Sequence, residues 1–520
     1  MLKPEVRELV DISQSQAARA SRADMMLERA RWAAEVFHRY DRELTLKIAD
    51  AVARVAHEKA GFYADWAVRE TGFGVAAHKK IKNEMTSIPF VNGYREQDFV
   101  SPRILEKKKI IEIPRPAGVV FGLIPSTNPI ATVNFKTLLA LLTRNAIILS
   151  PHPAARECCI DAARTLATAA EEAGAPEAAI QIVEEPTIPL IEEFMGSPKL
   201  GVILATGGTA MVRAAYSSSS PAIGVGPGNA PVFVDESADI RKAASRIVDS
   251  KSFDNSVLCT SESVLLTTDA VESKLSRELS RAGAYICKPE EVVALRRYLF
   301  HERGFNVEAV GRDASWICSQ IGIRAPAKTR ILVAPIDAIG VEEPFSREKL
   351  CPVLAYYTAA GRDQAISQSR AVLRLAGAGH SAAIHARDEA TILAFSEAVE
   401  AYRVVVNAPT SQGAAGFATH LAPTFTVGTG FFGRSSIGEN INPEHLLHWT
   451  RIAYNADADE PMGNYAGLSL SQEGPLPEAP ADGVPGSTRV ENTPEIESDD
   501  ELRNELRRLI VEELRAALRK

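Results

Sequence analysis

Cys259 stands in KSFDNSVLCTSES, among hydroxyl and amide side chains and just ahead of the β-rich run SVLLTT. A thiol placed at a strand start beside such groups has the setting of a nucleophile. One cysteine does not by itself identify a site, and the other five offer less. Cys158 and Cys159 fall within a helical stretch, and Cys287, Cys318 and Cys351 suit small apolar fillers. Two glycine clusters suggest chemistry of another kind. In LATGGTAMV a strand runs into Gly207, Gly208 and then a helix, where backbone N–H groups and the helix dipole can face a phosphate. A purely structural turn fits that spacing equally well. GVGPGNAP has glycines at alternate positions, which is not the GxGxxG spacing, though it permits close backbone approach to a ligand.

These groups need a scaffold, and the apolar pattern describes one. Residues 5 to 95 place apolar side chains at helical spacing with charge opposite, predicting amphipathic packing helices. From 108 the texture becomes β-rich: KKKIIEIPRPAG reads as an edge strand guarded by lysines or paired to a neighbouring subunit. AGVVFGLIP, NAIILS, AIQIVEE and LGVILATGG then alternate with helical stretches, predicting a parallel, doubly wound sheet of dinucleotide-binding type. A second alternating series, from PVFVDE through SESVLLTT, TRILVAPI, CPVLAYY and SAAIHA to YRVVVNAP, predicts a second α/β domain. Residues 471 to 498 are rich in Pro, Gly, Ser and Glu and contain no aromatic residue, as a linker does. In 499 to 520, Leu502, Leu506, Leu509, Leu514 and Leu518 fall on one stripe of an amphipathic helix, which reads as an adhesive tag or a self-associating coil.

Bulk properties exclude several classes. A net charge of −8 argues against a nucleic-acid partner, which would select a basic surface. The first residues lack the apolar core of a signal peptide, and no apolar run approaches the roughly 20 residues of a membrane span, so the expected location is the cytoplasm. Six cysteines in 520 residues predict reduced thiols rather than a disulfide framework, and no paired CxxC suggests a metal site.

Taken together, the ordered blocks IPSTNPIATVNFKTLLALLTRNAIILSPHP, ILATGGTAMVRAAYSSSSPAIGVGPGNAPVFVDESADI, KSFDNSVLCTSES, REKLCPVL, GAGHSAAIH and VVNAPTSQGAAG resemble the aldehyde dehydrogenase superfamily over most of residues 20 to 455. The likeness is to its CoA-acylating branch, including the aldehyde dehydrogenase half of bifunctional aldehyde-alcohol dehydrogenases. It implies an α/β fold with a Rossmann-like NAD-binding domain (1–98 and 118–225), a catalytic domain (226–423) and a β oligomerisation flap (99–117 and 424–460). A linker (461–498) and a terminal helix (499–520) would follow.

By this resemblance Cys259 is the nucleophile, and Asn128 with the backbone N–H at the cysteine is the oxyanion site. Glu348 would hold the nicotinamide ribose. Ser150, His152 and Pro153 would lie at the adenosine ribose, with Thr206, Gly207, Gly208 and Thr209 near the pyrophosphate and Val225 and Gly226 beside the cofactor. Val225 replaces the water-activating glutamate of the hydrolytic branch, so the acyl thioester would wait for the thiol of coenzyme A. His380 would assist that thiol, bind the phosphates of coenzyme A, or be a packed structural histidine.

The resemblance implies oxidation of a short-chain aldehyde with NAD, leaves NADP open, and suggests a homo-oligomer, dimer or tetramer. Acylating enzymes of bacterial microcompartments carry a similar tethered helix, so residues 499–520 are expected to engage shell or cargo proteins and bring the protein into a microcompartment lumen. Rival readings are a sulfoacetaldehyde or other semialdehyde dehydrogenase, a hydrolytic aldehyde dehydrogenase, and a catalytically silent scaffold or cargo adaptor.

Overall fold

The structure is a computed structural model, described for residues 15–301, 304–465 and 478–480. The expected terminal helix and most of the expected linker lie outside the described residues. Among those described, no helix is long and apolar enough to cross a membrane.

Five helices open the fold: α1 (Gln16–Phe37), α2 (Arg42–Glu58), α3 (Ala60–Thr71), α4 (Ala76–Met85) and α5 (Ile88–Tyr94). Capping explains the first two starts, since Ser15 Oγ accepts from Ala18 N at 3.2 Å and Asp41 Oδ1 from Leu44 N at 2.8 Å. Two short strands follow, β1 (Arg103–Leu105) and β2 (Ile110–Pro116). Lys107 and Lys108 lie in a 3-10 turn between them rather than in a strand, and Lys109 leaves that turn in the left-handed conformation.

The alternating region runs β3 (Val119–Ile124), α6 (Pro129–Leu142), β4 (Ala146–Pro151), α7 (Arg156–Glu172), β5 (Ile180–Ile182), α8 (Ile188–Met195), β6 (Val202–Thr206), α9 (Thr209–Ser217) and β7 (Ala222–Val225). Its five strands form a parallel sheet in the order β5-β4-β3-β6-β7. Every residue of β3 and β4 is buried, which is why these strands read as unbroken apolar runs rather than alternating ones. Helix α6 is buried along its whole length.

The second series continues with β8 (Ala230–Val234), α10 (Ile240–Ser252), β9 (Glu262–Thr268) and β10 (Ala284–Ile286). A two-residue ladder of β11 (Phe300–His301) and β12 (Gly304–Phe305) precedes β13 (Ile331–Pro335), β14 (Val353–Ala359), β15 (Ala382–His385) and β16 (Val404–Val406). Seven of these strands form a parallel sheet, β10-β13-β14-β9-β8-β15-β16. The last strand, β17 (Leu447–Ala453), pairs antiparallel with β2 in a three-stranded sheet with β1.

Within the flap segment expected at 424–460, the strand is therefore confined to Leu447–Ala453. Residues 424–440 form loops joined by one isolated bridge, Val427 to Asn440, and Gly428, Gly430, Gly433 and Gly438 interrupt any ladder there.

Order in the first sheet reverses between β3 and β6, and the cleft outside the carboxyl ends of strands at such a switch point is the usual ligand position in open α/β sheets. Here that cleft meets the amino ends of β8 and β9, so the two sheets share one cavity.

Candidate active site

Cys259 is the one cysteine that is not fully buried. Its loop leaves α10 through Asp254 (φ 49°), Asn255 (φ 52°) and Ser256 (φ 65°), three successive non-glycine residues in the left-handed region. Each costs about 1–3 kcal/mol, so neighbours must hold them. Asp254 Oδ1 accepts from Val75 N at 2.6 Å, its N–H donates to His78 Nδ1 at 2.9 Å, and Asn255 Nδ2 donates to Gly311 O at 2.8 Å. Gly74 makes room for this grip: a Cβ there, at φ +80°, would stand 2.1 Å from Asp254 Oδ1.

Burial, followed by the charge of Glu348, pushes the Cys259 thiol up to about 12. Its own backbone N–H, Arg403 and Lys82 pull the other way. With nothing bound, the sulfur is a thiol at neutral pH.

Asn128 caps the turn from β3 into α6. Thr132 Oγ1 donates to its carbonyl at 2.6 Å, and Pro129 occupies the first helical position, where no N–H is needed. The side-chain amide donates through Nδ2 to Val257 O and to Thr127 Oγ1, both at 3.2 Å. Its oxygen accepts from Lys82 Nζ.

Cys259 and Asn128 line one cavity of about 350 Å³ together with Ser150, His152, Pro153, Thr206, Gly207, Gly208, Val225, Gly226 and Glu348. Ser150 is the penultimate residue of β4, and its buried Oγ has no hydrogen-bond partner among the described residues. His152 Nδ1 accepts from Ala154 N at 3.1 Å, so the imidazole is neutral in this geometry. A Cβ at Gly207, Gly208 or Gly226 would meet nothing within 4 Å, which leaves the backbone before α9 open to a ligand. Glu348 Oε1 accepts from Gly228 N at 3.1 Å, and burial raises its carboxyl to about 7. An orphaned hydroxyl, exposed amides at a helix start and a half-engaged carboxylate suit the riboses and pyrophosphate of a dinucleotide.

Two of the expected site residues are placed elsewhere. Thr209 begins α9 but is not among the cavity-lining residues. His380 is buried behind Gly228, 3.4 Å from where a Cβ on that residue would lie, and outside the cavity. Its Nδ1 is 3.0 Å from Ser381 Oγ, and burial and Arg403 bring its pKa to about 3. Lying outside the cavity, the imidazole is not among the groups that face a ligand there.

The residues that sequence reasoning missed stand behind Asn128 and Cys259. Lys79 Nζ donates to Asp254 Oδ2 at 3.0 Å and to Thr127 O at 2.9 Å, while Lys82 Nζ donates to both Asp254 and Asn128. Both lysines are buried, and desolvation lowers Lys82 to about 7. Arg403, also buried, donates to the carbonyls of Gly379, His380, Gly428 and Gly438. The only sequence signal for the lysines was their i, i+3 spacing, which puts both on one face of α4.

The aldehyde dehydrogenase family profile matches residues 7–286. The chain belongs to the aldehyde dehydrogenase family. Among curated members it is 40% identical over 440 residues to an aldehyde-alcohol dehydrogenase of Clostridium acetobutylicum, covering 83% of this chain and 50% of that protein. The chain thus spans about half the length of the curated aldehyde-alcohol dehydrogenases it matches. Among solved structures, an acetylating aldehyde dehydrogenase from Geobacillus thermoglucosidasius superposes with TM-score 0.84 at 38% identity, covering 86% of this chain and 99% of that one. A propionaldehyde dehydrogenase from the fucose-utilisation bacterial microcompartment of Clostridium phytofermentans superposes with TM-score 0.75 at 27% identity, covering 83% and 97%. The mixed α/β architecture is that of the acylating members of the aldehyde dehydrogenase family.

Proposed function

We propose that this chain is a CoA-acylating aldehyde dehydrogenase that uses NAD, with Cys259 as nucleophile and Asn128 as oxyanion donor. The observation that carries the acylating reading is the cavity wall at Val225. By the sequence resemblance this buried residue replaces the water-activating glutamate of the hydrolytic branch, and the single carboxylate among the described lining residues, Glu348, is engaged by Gly228.

Cys259, once deprotonated, adds its sulfur to the aldehyde carbon, and the carbonyl π electrons pass to oxygen. Asn128 Nδ2 and the Cys259 backbone N–H hold that oxyanion. When bound, NAD supplies the hydride acceptor. Collapse of the hemithioacetal leaves an acyl thioester on Cys259, and with no free base to activate water the wall preserves it. Attack by the CoA thiolate breaks the bond to Cys259, which departs as thiolate. Ser150, Gly207, Gly208 and Glu348 position the dinucleotide.

Among the described residues, the lining contains neither lysine nor arginine. This favours NAD over a 2′-phosphorylated dinucleotide, and an uncharged aldehyde over a sulfonated or carboxylated one. Leu258, Phe425 and Val427 contribute apolar wall to the cavity, which suits the acetaldehyde or propionaldehyde class. A cytoplasmic homo-oligomer assembled around the β2–β17 sheet, carried into a microcompartment by residues 499–520, completes the reading. Its support is the amphipathic sequence pattern and the likeness to a microcompartment enzyme.

The test is a steady-state assay of short aldehydes with NAD or NADP, with and without CoA. NADH formation is expected to require CoA, and fast sustained turnover without it overturns the acylating reading. Deleting residues 471–520 is expected to leave turnover intact and abolish co-purification with shell proteins. Unchanged co-purification refutes the targeting role.

A further inference from the structure

The cluster of Lys79, Lys82 and Asp254 has no part in the chemistry above, yet it reaches that chemistry through a hydrogen bond to Asn128 and through the charge of Lys82, which favours the Cys259 thiolate. Two ammonium groups share one carboxylate oxygen in a buried site, with side chains 3% exposed for each lysine and 0% for the aspartate. Neutralising Asp254 requires only one of them, and Lys79 already does so at 3.0 Å. A second buried cation is costly unless its charge is used.

Lys82 is the lysine that reaches past Asp254 to Asn128. An ammonium has three N–H donors and no acceptor, so it can bind only the oxygen end of a carboxamide. Asn128 presents two chemically opposite ends, and only its NH2 end can hold an oxyanion. With Oδ1 taken, the two N–H groups of Nδ2 are left for Val257 O, two residues ahead of Cys259, and for Thr127 Oγ1, both at 3.2 Å, and a developing oxyanion has to replace one of these acceptors. A cation on Oδ1 also draws electron density from the amide and strengthens its N–H groups as donors.

We propose that Lys82 is a positioning residue for acyl transfer: it locks Asn128 with its NH2 toward Cys259 and polarises that amide for the developing oxyanion. Lys79 and Asp254 serve as its anchor, tying α4 to the left-handed turn before the nucleophile. The proposal rests on the reading of Cys259 and Asn128 given above.

The test compares wild type, Lys82→Met, Lys82→Gln, Lys82→Arg, Asn128→Ala and the Lys82→Met/Asn128→Ala double variant in the full chain. The readout is the burst rate of Cys259 acylation by p-nitrophenyl acetate. In that step the sulfur bonds to the acyl carbon and p-nitrophenolate leaves with the electron pair, so neither NAD nor CoA is needed. Lys82→Met is expected to slow the burst by about 100-fold, the scale of losing one oxyanion donor. Lys82→Arg should restore most of the rate, and NAD affinity by calorimetry should stay unchanged. Compared as rates per thiolate, taken from the pH dependence of the burst so that the charge of Lys82 on the thiol drops out, the double variant should be no slower than Asn128→Ala, because the lysine acts on the oxyanion through that amide.

Lys82→Met retains the stem volume and leaves Lys79 to neutralise Asp254. Should it fail to fold by circular dichroism, Lys82→Gln, which lacks the charge, replaces it in both comparisons. A wild-type burst in the charge-free variant, or losses that multiply in the double variant, overturns the proposal alone. A wild type whose Cys259 is not acylated at all overturns the reading of the nucleophile, and the proposal with it.

Discussion

Gly228 lies against the nucleophile's backbone: a Cβ on it would stand 2.0 Å from the carbonyl oxygen of Cys259, while its N–H holds Glu348 at 3.1 Å. Gly228→Ala must therefore move either the cysteine loop or the carboxylate. A displacement near 1 Å at a reacting group costs about 100-fold. That loss is expected in kcat/KM, with the thermal midpoint nearly unchanged; near-normal kinetics would show that the contact is soft.

The raised thiol gives a pH signature. Only the thiolate is alkylated, so below a pKa of about 12 the iodoacetamide rate at Cys259 should rise about tenfold per pH unit from pH 7 to 10 in the ligand-free protein. The Glu348 carboxyl titrates near 7, and above that pH its negative charge opposes the thiolate. Removing it in Glu348→Gln lowers the thiol pKa, so alkylation at pH 9 should be several-fold faster than in wild type. A plateau near pH 8, or slower alkylation of the variant, contradicts this electrostatic account.

Val225→Glu places a carboxyl in the buried wall at the end of β7. Burial raises such a pKa toward the range of a general base. NADH formation without CoA should then increase by about tenfold or more, with free acid as product. Mass-spectrometric detection of that acid, and its absence in wild type, checks the claim.

Arg403 ties together carbonyls from two loops, Gly379 and His380 on one side and Gly428 and Gly438 on the other. Arg403→Met leaves those acceptors buried without a donor, at about 3 kcal/mol in total after local relaxation. Urea unfolding should show that loss of stability; a change below about 0.5 kcal/mol would mean that the loops find other donors.

The strands around the cavity were legible because burial on both faces leaves unbroken apolar runs, as in VVFGLI and AIILSP. The glycines before α9 were legible because a strand passing directly into a helix leaves few other conformations. Lys79 and Lys82 were not. Charged residues at helical spacing normally mark a solvated face, and only Asp254, brought from far along the chain, makes their burial tolerable. Arg403 was hidden for a similar reason, since four carbonyl partners leave no trace in side-chain identity. The flap segment 424–460, expected from the family resemblance, pairs as a strand only over Leu447–Ala453, and Gly428, Gly430, Gly433 and Gly438 interrupt any ladder before it.

Asp254 and Lys82 are 172 residues apart in sequence. Closing so long a loop is entropically expensive and comes late, after local helices and neighbouring strands have formed. The nucleophile's turn cannot take its left-handed shape until α4 arrives, so a refolding chain should recover sheet signal before it recovers reactive Cys259. A newly made chain would in this way stay chemically quiet until its architecture is complete.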